Sequence, residues 1–190
     1  MMGTRSGNID PAIITYLMTH ESKTTEQIDD LIRIAKWYQR TEIAPSESET
    51  IAYLVIPLLR ALGWTPQKMA VEWNNVDVAL FKTLPRSNEN LFVVLEAKQK
   101  DLSCLNAISQ AQYYAEQAGR ETCGLLIVTD GMRYGIYVRK EGKFRSHPDA
   151  YLNITNMRET YPLLHCQGAR EAFLYLSSDW NTPKGVVSLE

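Results

Sequence analysis

The sequence is poor in the residues that staple small or extracellular folds together. It has three cysteines in 190 residues: Cys104, Cys123 and Cys166. Their number is odd and none stands at a metal-binding spacing, so neither a disulfide framework nor a zinc site is written here. That usage fits a reducing cytoplasm. Histidine is equally scarce: His20, His147 and His165 are isolated, and none has a metal partner at useful spacing. No apolar run approaches the ~18 residues of a membrane span, and no secretory signal is recognisable. A formal net charge of −2 excludes a molecule that coats DNA by bulk charge, so a nucleic-acid surface must be a local patch. No Gly-x-x-x-x-Gly-Lys-Ser/Thr phosphate loop is present, which removes an ATPase. A methyltransferase motif, an internal repeat and a low-complexity segment are also missing.

What is present is a chain long enough for one domain with a real core. Two strand-like runs stand out, Val76-Asp77-Val78-Ala79-Leu80-Phe81 and Leu91-Phe92-Val93-Val94-Leu95-Glu96-Ala97-Lys98. Strand side chains alternate between faces. Asp77 therefore shares a face with Ala79 and Phe81, and Glu96 and Lys98 share one with Phe92 and Val94. Both faces of both runs are apolar, so both strands are expected to be buried. An unpaired charge in such a place costs several kcal/mol or neutralises. Two carboxylates and a lysine kept there point to joint use.

Along the chain, residues 1–43 read as a helical extension of two helices. The first, from Pro11 to about His20, carries Ile13, Ile14, Leu17 and Met18. The second is capped by Thr24 with Gln27 and carries Ile28, Leu31, Ile32, Ile34, Ala35 and Tyr38. Such a pair could read DNA as a helix-turn-helix, but docking against the core is the plainer reading. Residues 44–150 form the core. Ser46 and Glu49 make a second capping box, opening a helix from Glu47 to about Leu62 with Pro57 as an anomaly. Strands follow at 68–73, 76–82 and 91–97, linked too tightly for crossover helices, so they form an antiparallel meander. A helix from Ser103 to Ala118 then returns the chain to an apolar, central strand at 124–129, parallel to the third. After the Asp130-Gly131 turn, Arg133–Arg139 is a further strand. Residues 151–190 are a C-terminal segment with one helix, 168–177, packing on the core. The predicted fold class is α/β, a mixed sheet in the order αβββαβ flanked by helices.

Hydrolysis of a phosphodiester needs a nucleophilic water near neutral pH and relief of charge on the phosphate. Mg²⁺, with Mn²⁺ as a substitute, supplies both and takes hard oxygen ligands. Asp77 and Glu96 on neighbouring strands can face one ion, and the Ala97 carbonyl can add a third oxygen. Lys98 lies about 7 Å along the strand from Glu96 on the same face, where its ammonium can hold the attacking water.

Asp77, a short loop and Leu95-Glu96-Ala97-Lys98 together resemble the PD-(D/E)XK nuclease superfamily. The nearest branch is the nuclease domain at the N-terminus of type I restriction endonuclease motor subunits and its stand-alone relatives. Ser46-Glu47-Ser48-Glu49-Thr50, Ile56-Pro57-Leu58-Leu59 and Leu62-Gly63-Trp64 are similar to the first helix of these domains. Gln110-Ala-Gln-Tyr-Tyr114 resembles the family's QxxxY element, and Leu126-Ile-Val-Thr-Asp-Gly131 its following strand and turn. The resemblance covers about residues 45 to 140. Val76 stands where the family's proline would be.

The resemblance implies a restriction-endonuclease-like fold and a Mg²⁺-dependent DNA endonuclease serving defence against foreign DNA. Asp77, Glu96 and Ala97 would bind metal, and Lys98 would activate water. It also implies an acidic residue of the first helix pointing into the site. Glu47 is the choice, because Glu49 is the capping partner of Ser46. Gln110 and Tyr114 would contact the scissile phosphate or its neighbourhood. Lys82, Arg86, Lys98, Lys100, Arg133 and Arg139 could line a phosphate track or form a scattered solvated surface. Double-strand cutting needs two active sites, so a homodimer, transient pairing or partner subunits of a restriction system is the expected assembly. Two rivals stand beside this reading: a DNA-binding or assembly module that does not cut, and a nuclease acting on RNA or branched DNA.

Overall fold

The computed structural model describes residues 22–100 and 103–181. Its strands are β1 (Met69–Trp73), β2 (Val76–Phe81), β3 (Leu91–Ala97), β4 (Leu125–Thr129), β5 (Arg133–Val138), β6 (Ala150–Asn153), β7 (Thr160–Tyr161) and β8 (Cys166–Gln167). They form one mixed sheet in the order β1-β2-β3-β4-β5-β6-β8-β7. β1, β2 and β3 meander antiparallel, and β3 and β4 run parallel. The helices are α1 (Ser22–Arg40), α2 (Glu47–Thr50), α3 (Ile56–Ala61), α4 (Ile108–Ala115) and α5 (Ala169–Leu176). The protein is thus the mixed α/β sheet flanked by helices that the sequence pattern predicts.

Each sheet face has its own core. One face, with Val78, Leu80, Val93, Leu95 and Ile127, meets Leu31, Leu54, Leu58, Trp64 and Phe173 from α1, the α2–α3 region and α5. The other, with Ala79, Phe81, Val94, Leu126 and Val128, is covered by Ala107, Ala111 and Ala115 at α4. The small residues let α4 lie close on the sheet. Apolar burial on both faces explains the near-continuous Val/Ile/Leu runs of β3 and β4.

Several details differ from the pattern read in the sequence. The helix from Glu47 is not a single kinked α-helix. It passes through a π-helical stretch, Ile51–Val55, in which the Ile56 N–H reaches back five residues to the Ile51 carbonyl. Pro57 then falls in the first turn of α3, where its missing N–H costs little. Phe92 does not share a face with Val94 and Glu96. A bulge pairs Leu80 with Val93 but Phe81 with Leu91, and Phe92 joins Val93 on the opposite face. The helix expected over 103–118 is a 3₁₀ turn, Cys104–Ala107, followed by the shorter α4. Thr24, the expected cap, lies inside α1, and Ile34 of its predicted stripe is exposed. The helix read over Pro11 to His20 lies outside the described residues.

The boundary expected at residue 150 falls inside β6, and the segment beyond it adds β7 and β8 to the same sheet. These strands are two to four residues long, too short to show a period of two. Other local readings are observed directly. Ser46 Oγ accepts the Glu49 N–H at 3.2 Å, and the Ser46 N–H donates to the Glu49 carboxylate at 2.8 Å. A turn not read in the sequence joins β1 and β2: Asn74 and Asn75, both at positive φ.

Candidate functional site

The site begins where β2 and β3 part. Their last ladder pair at this end is Val78 with Leu95. One residue further, the side chain of Asp77 replaces the backbone: its Oδ2 accepts the Ala97 N–H at 2.7 Å. The strand ends are therefore joined through a carboxylate. Glu96 projects on the same face as Val94 and is wholly buried. Neither of its carboxylate oxygens has a hydrogen-bond partner. A buried polar group without a partner costs on the order of 1–3 kcal/mol, more if charged.

The next residue past β3 is Lys98. Its N–H donates to the Thr129 carbonyl at 2.8 Å, which extends the pairing with β4. Its Nζ lies 3.6 Å from Glu47 Oε1 at the start of α2. The side chains are 25% and 47% exposed, so the pair sits at the solvent edge of the buried carboxylate. Glu47, Asp77, Glu96 and Lys98 are thus within one electrostatic neighbourhood.

The titration of the two carboxyls reflects this crowding. Burial, followed by the negative charge of Asp77, pushes Glu96 up to about 8; the Lys98 ammonium and the Asp77 backbone N–H, which falls short of hydrogen-bond geometry, only partly oppose this. Burial also raises Asp77, against the Ala97 N–H and Lys98, which favour its charged form. Glu72 adds to the rise. It falls opposite Asp77, between the pairs Val71–Val78 and Trp73–Val76. The sequence reading missed Glu72; the antiparallel register of β1 was the signal that could have found it.

The donor set fits a hard divalent cation. Two crowded carboxyls, one with both oxygens orphaned, are what such an ion would compensate, and the Ala97 carbonyl belongs to the residue whose N–H Asp77 holds. Among the described residues no group of three or more His, Cys, Asp or Glu side chains is gathered as for a metal. Any ion here would rest on two carboxylates, a carbonyl and water.

Gln110 and Tyr114 make no direct link to these groups. Gln110 is exposed on α4, and Tyr114 is half-buried against the α4 core. Among the described residues neither makes a hydrogen bond to Asp77, Glu96, Lys98 or Glu47. Tyr114 instead lines a hollow with Asn74, Asn75, Asn88 and Arg120. The expected basic track is largely engaged in internal contacts. Lys82 donates to the Ser178 and Trp180 carbonyls, Arg86 to Pro66 and Gln67, and Lys100 to Tyr38 and Thr41. Arg133 binds Asp130, and Arg139 the Ala115 and Glu121 carbonyls. Lys98 is the member of the set that faces the carboxylates.

Comparison with known proteins divides the chain. The Acetokinase family model matches residues 1–36. Acetate kinase of Rickettsia akari is 59% identical over 32 residues, 17% of this chain and 8% of that protein. Acetate kinase of Thermoanaerobacter pseudethanolicus is 61% identical over 31 residues, 16% of this chain and 8% of that protein. The chain thus spans 8% of the length of these relatives. The matched stretch ends within α1, and no candidate site residue lies in it. Among solved structures, a fragment described as an HsdR subunit of a type I restriction enzyme from Vibrio vulnificus YJ016 is 21% identical, with a TM-score of 0.41. That alignment covers 55% of this chain and 23% of the other. Among the described residues no helix is long and apolar enough to cross a membrane.

Proposed function

We propose that the chain is a Mg²⁺-dependent endonuclease acting on DNA, with Asp77, Glu96 and the Ala97 carbonyl as metal ligands. The observation that carries this reading is the wholly buried Glu96 carboxylate, without a hydrogen-bond partner and next to Asp77 and Lys98. A bound divalent ion would lower the pKa of a ligated water and offset charge on the phosphate. The residues divide the remaining work. Asp77 fixes the β3 end through the Ala97 N–H while offering its other oxygen. Lys98 holds the attacking water and favours its deprotonated form. Glu47 holds the Lys98 ammonium towards the site. Gln110 and Tyr114 on α4 are assigned to contact with the scissile phosphate or nearby backbone. A role in restriction or defence, with a second copy or partner subunits, follows from the motif resemblance.

The test is incubation of supercoiled plasmid, single-stranded DNA and RNA with Mg²⁺, Mn²⁺ or EDTA. Nicked or linear plasmid with either ion, and none in EDTA, supports the reading. Intact substrates throughout, with folded protein, would sink it. A second reading, a DNA-binding module that does not cut, draws on the small donor set of two carboxylates. Calorimetry with Mg²⁺ or Mn²⁺ separates the two, since the module needs no ion.

A further inference from the structure

Arg120 is a buried cation with no acidic partner among the described residues. The residue lines a hollow of about 300 Å³ between α4 and the β1–β2 turn and is only 5% exposed. Nε donates to Asn88 Oδ1 at 3.0 Å and Nη1 to the Tyr114 carbonyl at 2.8 Å, both neutral acceptors. The guanidinium also stands 5.2 Å from the centre of the Trp73 ring. No carboxylate of the described residues forms an ion pair with it, and Nη2 makes no hydrogen bond among them. Nη2 is not among the buried atoms without a partner, so it opens to solvent in the hollow, where an anion can replace water at a charge-assisted hydrogen bond.

The walls narrow the chemistry of that anion. Tyr113 is 65% exposed, with its ring tilted against Tyr114 at a centroid distance of 5.7 Å. An exposed aromatic at the mouth of a polar hollow is a stacking surface for a planar ring. Asn74 and Asn75 of the β1–β2 turn also line the hollow, and both are exposed. Cation, aromatic face and amides together suit a phosphate that carries an unstacked base. Asn75 is two residues before Asp77, so the hollow lies beside the strand that bears the first carboxylate.

We infer that this hollow holds one nucleotide of a single DNA strand, with its phosphate at Arg120 and its base against Tyr113. This rests on the nucleic-acid reading above and adds that the strand held in this hollow is unpaired. A free mononucleotide offers the same chemistry, and the test separates the two.

The experiment uses the full chain in EDTA, where nothing is cut. The probes are a short labelled single-stranded DNA, the same sequence as duplex, and dAMP. Tyr113→Ala should weaken single-strand binding about tenfold and leave duplex binding unchanged, since stacking needs an unpaired base. Asn74→Asp adds a negative charge in a turn position that Asp tolerates, and should weaken single-strand binding severalfold. Both positions are exposed, and matching melting curves show that the fold is kept. Unchanged single-strand affinity in both variants overturns the inference, as does an equal loss on duplex. Tyr113→Ala that loses dAMP but keeps the oligonucleotide overturns the strand assignment in favour of a free nucleotide. None of these outcomes touches cleavage by the parent chain in Mg²⁺, so the nuclease reading stands or falls separately.

Discussion

Lys98 Nζ stands 3.6 Å from Glu47 Oε1, and this contact ties the residue past β3 to the first residue of α2. It joins the two ends of a site whose inner part, Asp77 and Glu96, is shut between strands. An ion pair exposed to this degree adds little to stability, typically ~0–1 kcal/mol. Its value lies in fixing where the ammonium points.

Lys98→Ala should therefore leave folding and metal binding nearly intact while abolishing cleavage. Loss of a group that acts only in the transition state costs ~3 kcal/mol or more, a hundredfold or greater in rate. Glu47→Gln should cost less, about tenfold, because it loosens the lysine without removing it. Mg²⁺ calorimetry and plasmid cleavage on both variants check this. Full activity in Lys98→Ala would reduce the lysine to a solvated strand end.

Glu96 makes metal-free stability depend on pH in an unusual direction. Its folded pKa is about 8 against an ordinary 4.5, so the fold favours the protonated carboxyl. The folded state then binds more protons than the unfolded state between these values, and stability falls as pH rises through that window. In EDTA, melting temperature should drop from pH 5 towards pH 8.5, and Mg²⁺ should restore it at the upper end. Glu96→Gln should flatten the profile. At pH 8.5 it should stabilise the metal-free protein by ~2 kcal/mol or more, since each pKa unit is worth about 1.4 kcal/mol. A variant less stable than the parent at that pH would mean that the carboxylate has partners in solution.

Much of this arrangement was legible in the chain. Charges at Asp77, Glu96 and Lys98 inside apolar strand runs are visible against a period of two, and a capping box singles out Glu47 over Glu49. The β2–β3 bulge was not legible, because inserting Phe92 leaves an equally apolar run. Arg120 was not visible either. It follows α4 in a turn, and only the fold brings it beneath Trp73 and Asn88. β7 and β8 are too short to carry a pattern, and their place comes from pairing with each other and with β6.

The turn after β4 supports the site from below. Gly131 has φ +81°, and a Cβ there would lie 2.6 Å from Leu54 Cδ1 and 2.9 Å from Thr50 Cγ2. Gly131→Ala must strain the backbone and push on the α2–α3 region that carries Glu47. We expect a loss of about 2 kcal/mol or more, read as a lower urea midpoint with unchanged slope. Unaltered stability would mean that the α2–α3 region yields freely, and Glu47 would then be poorly anchored.

Asp77 separates structure from chemistry because its two oxygens have different duties. Oδ2 accepts the Ala97 N–H, while the carboxylate charge raises Glu96. Asp77→Asn keeps an acceptor and removes the charge. It should fold nearly as the parent does, bind Mg²⁺ weakly and fail to cut, and its Glu96 should titrate lower than in the parent. The pH-dependent fall in metal-free stability should then be smaller and level off at a lower pH, because its lower edge is set by the unfolded carboxyl. Asp77→Ala loses both functions and leaves the Ala97 N–H without its partner, for ~1–3 kcal/mol of stability. It should also bind DNA more tightly in EDTA, because a negative charge facing the phosphates has gone. Melting curves, calorimetry and DNA binding on the two variants check these outcomes. Equal stability of Asp77→Asn and Asp77→Ala would show that the hydrogen bond to Ala97 does not hold the strand end, and the picture of a carboxylate bridging β2 and β3 would fail.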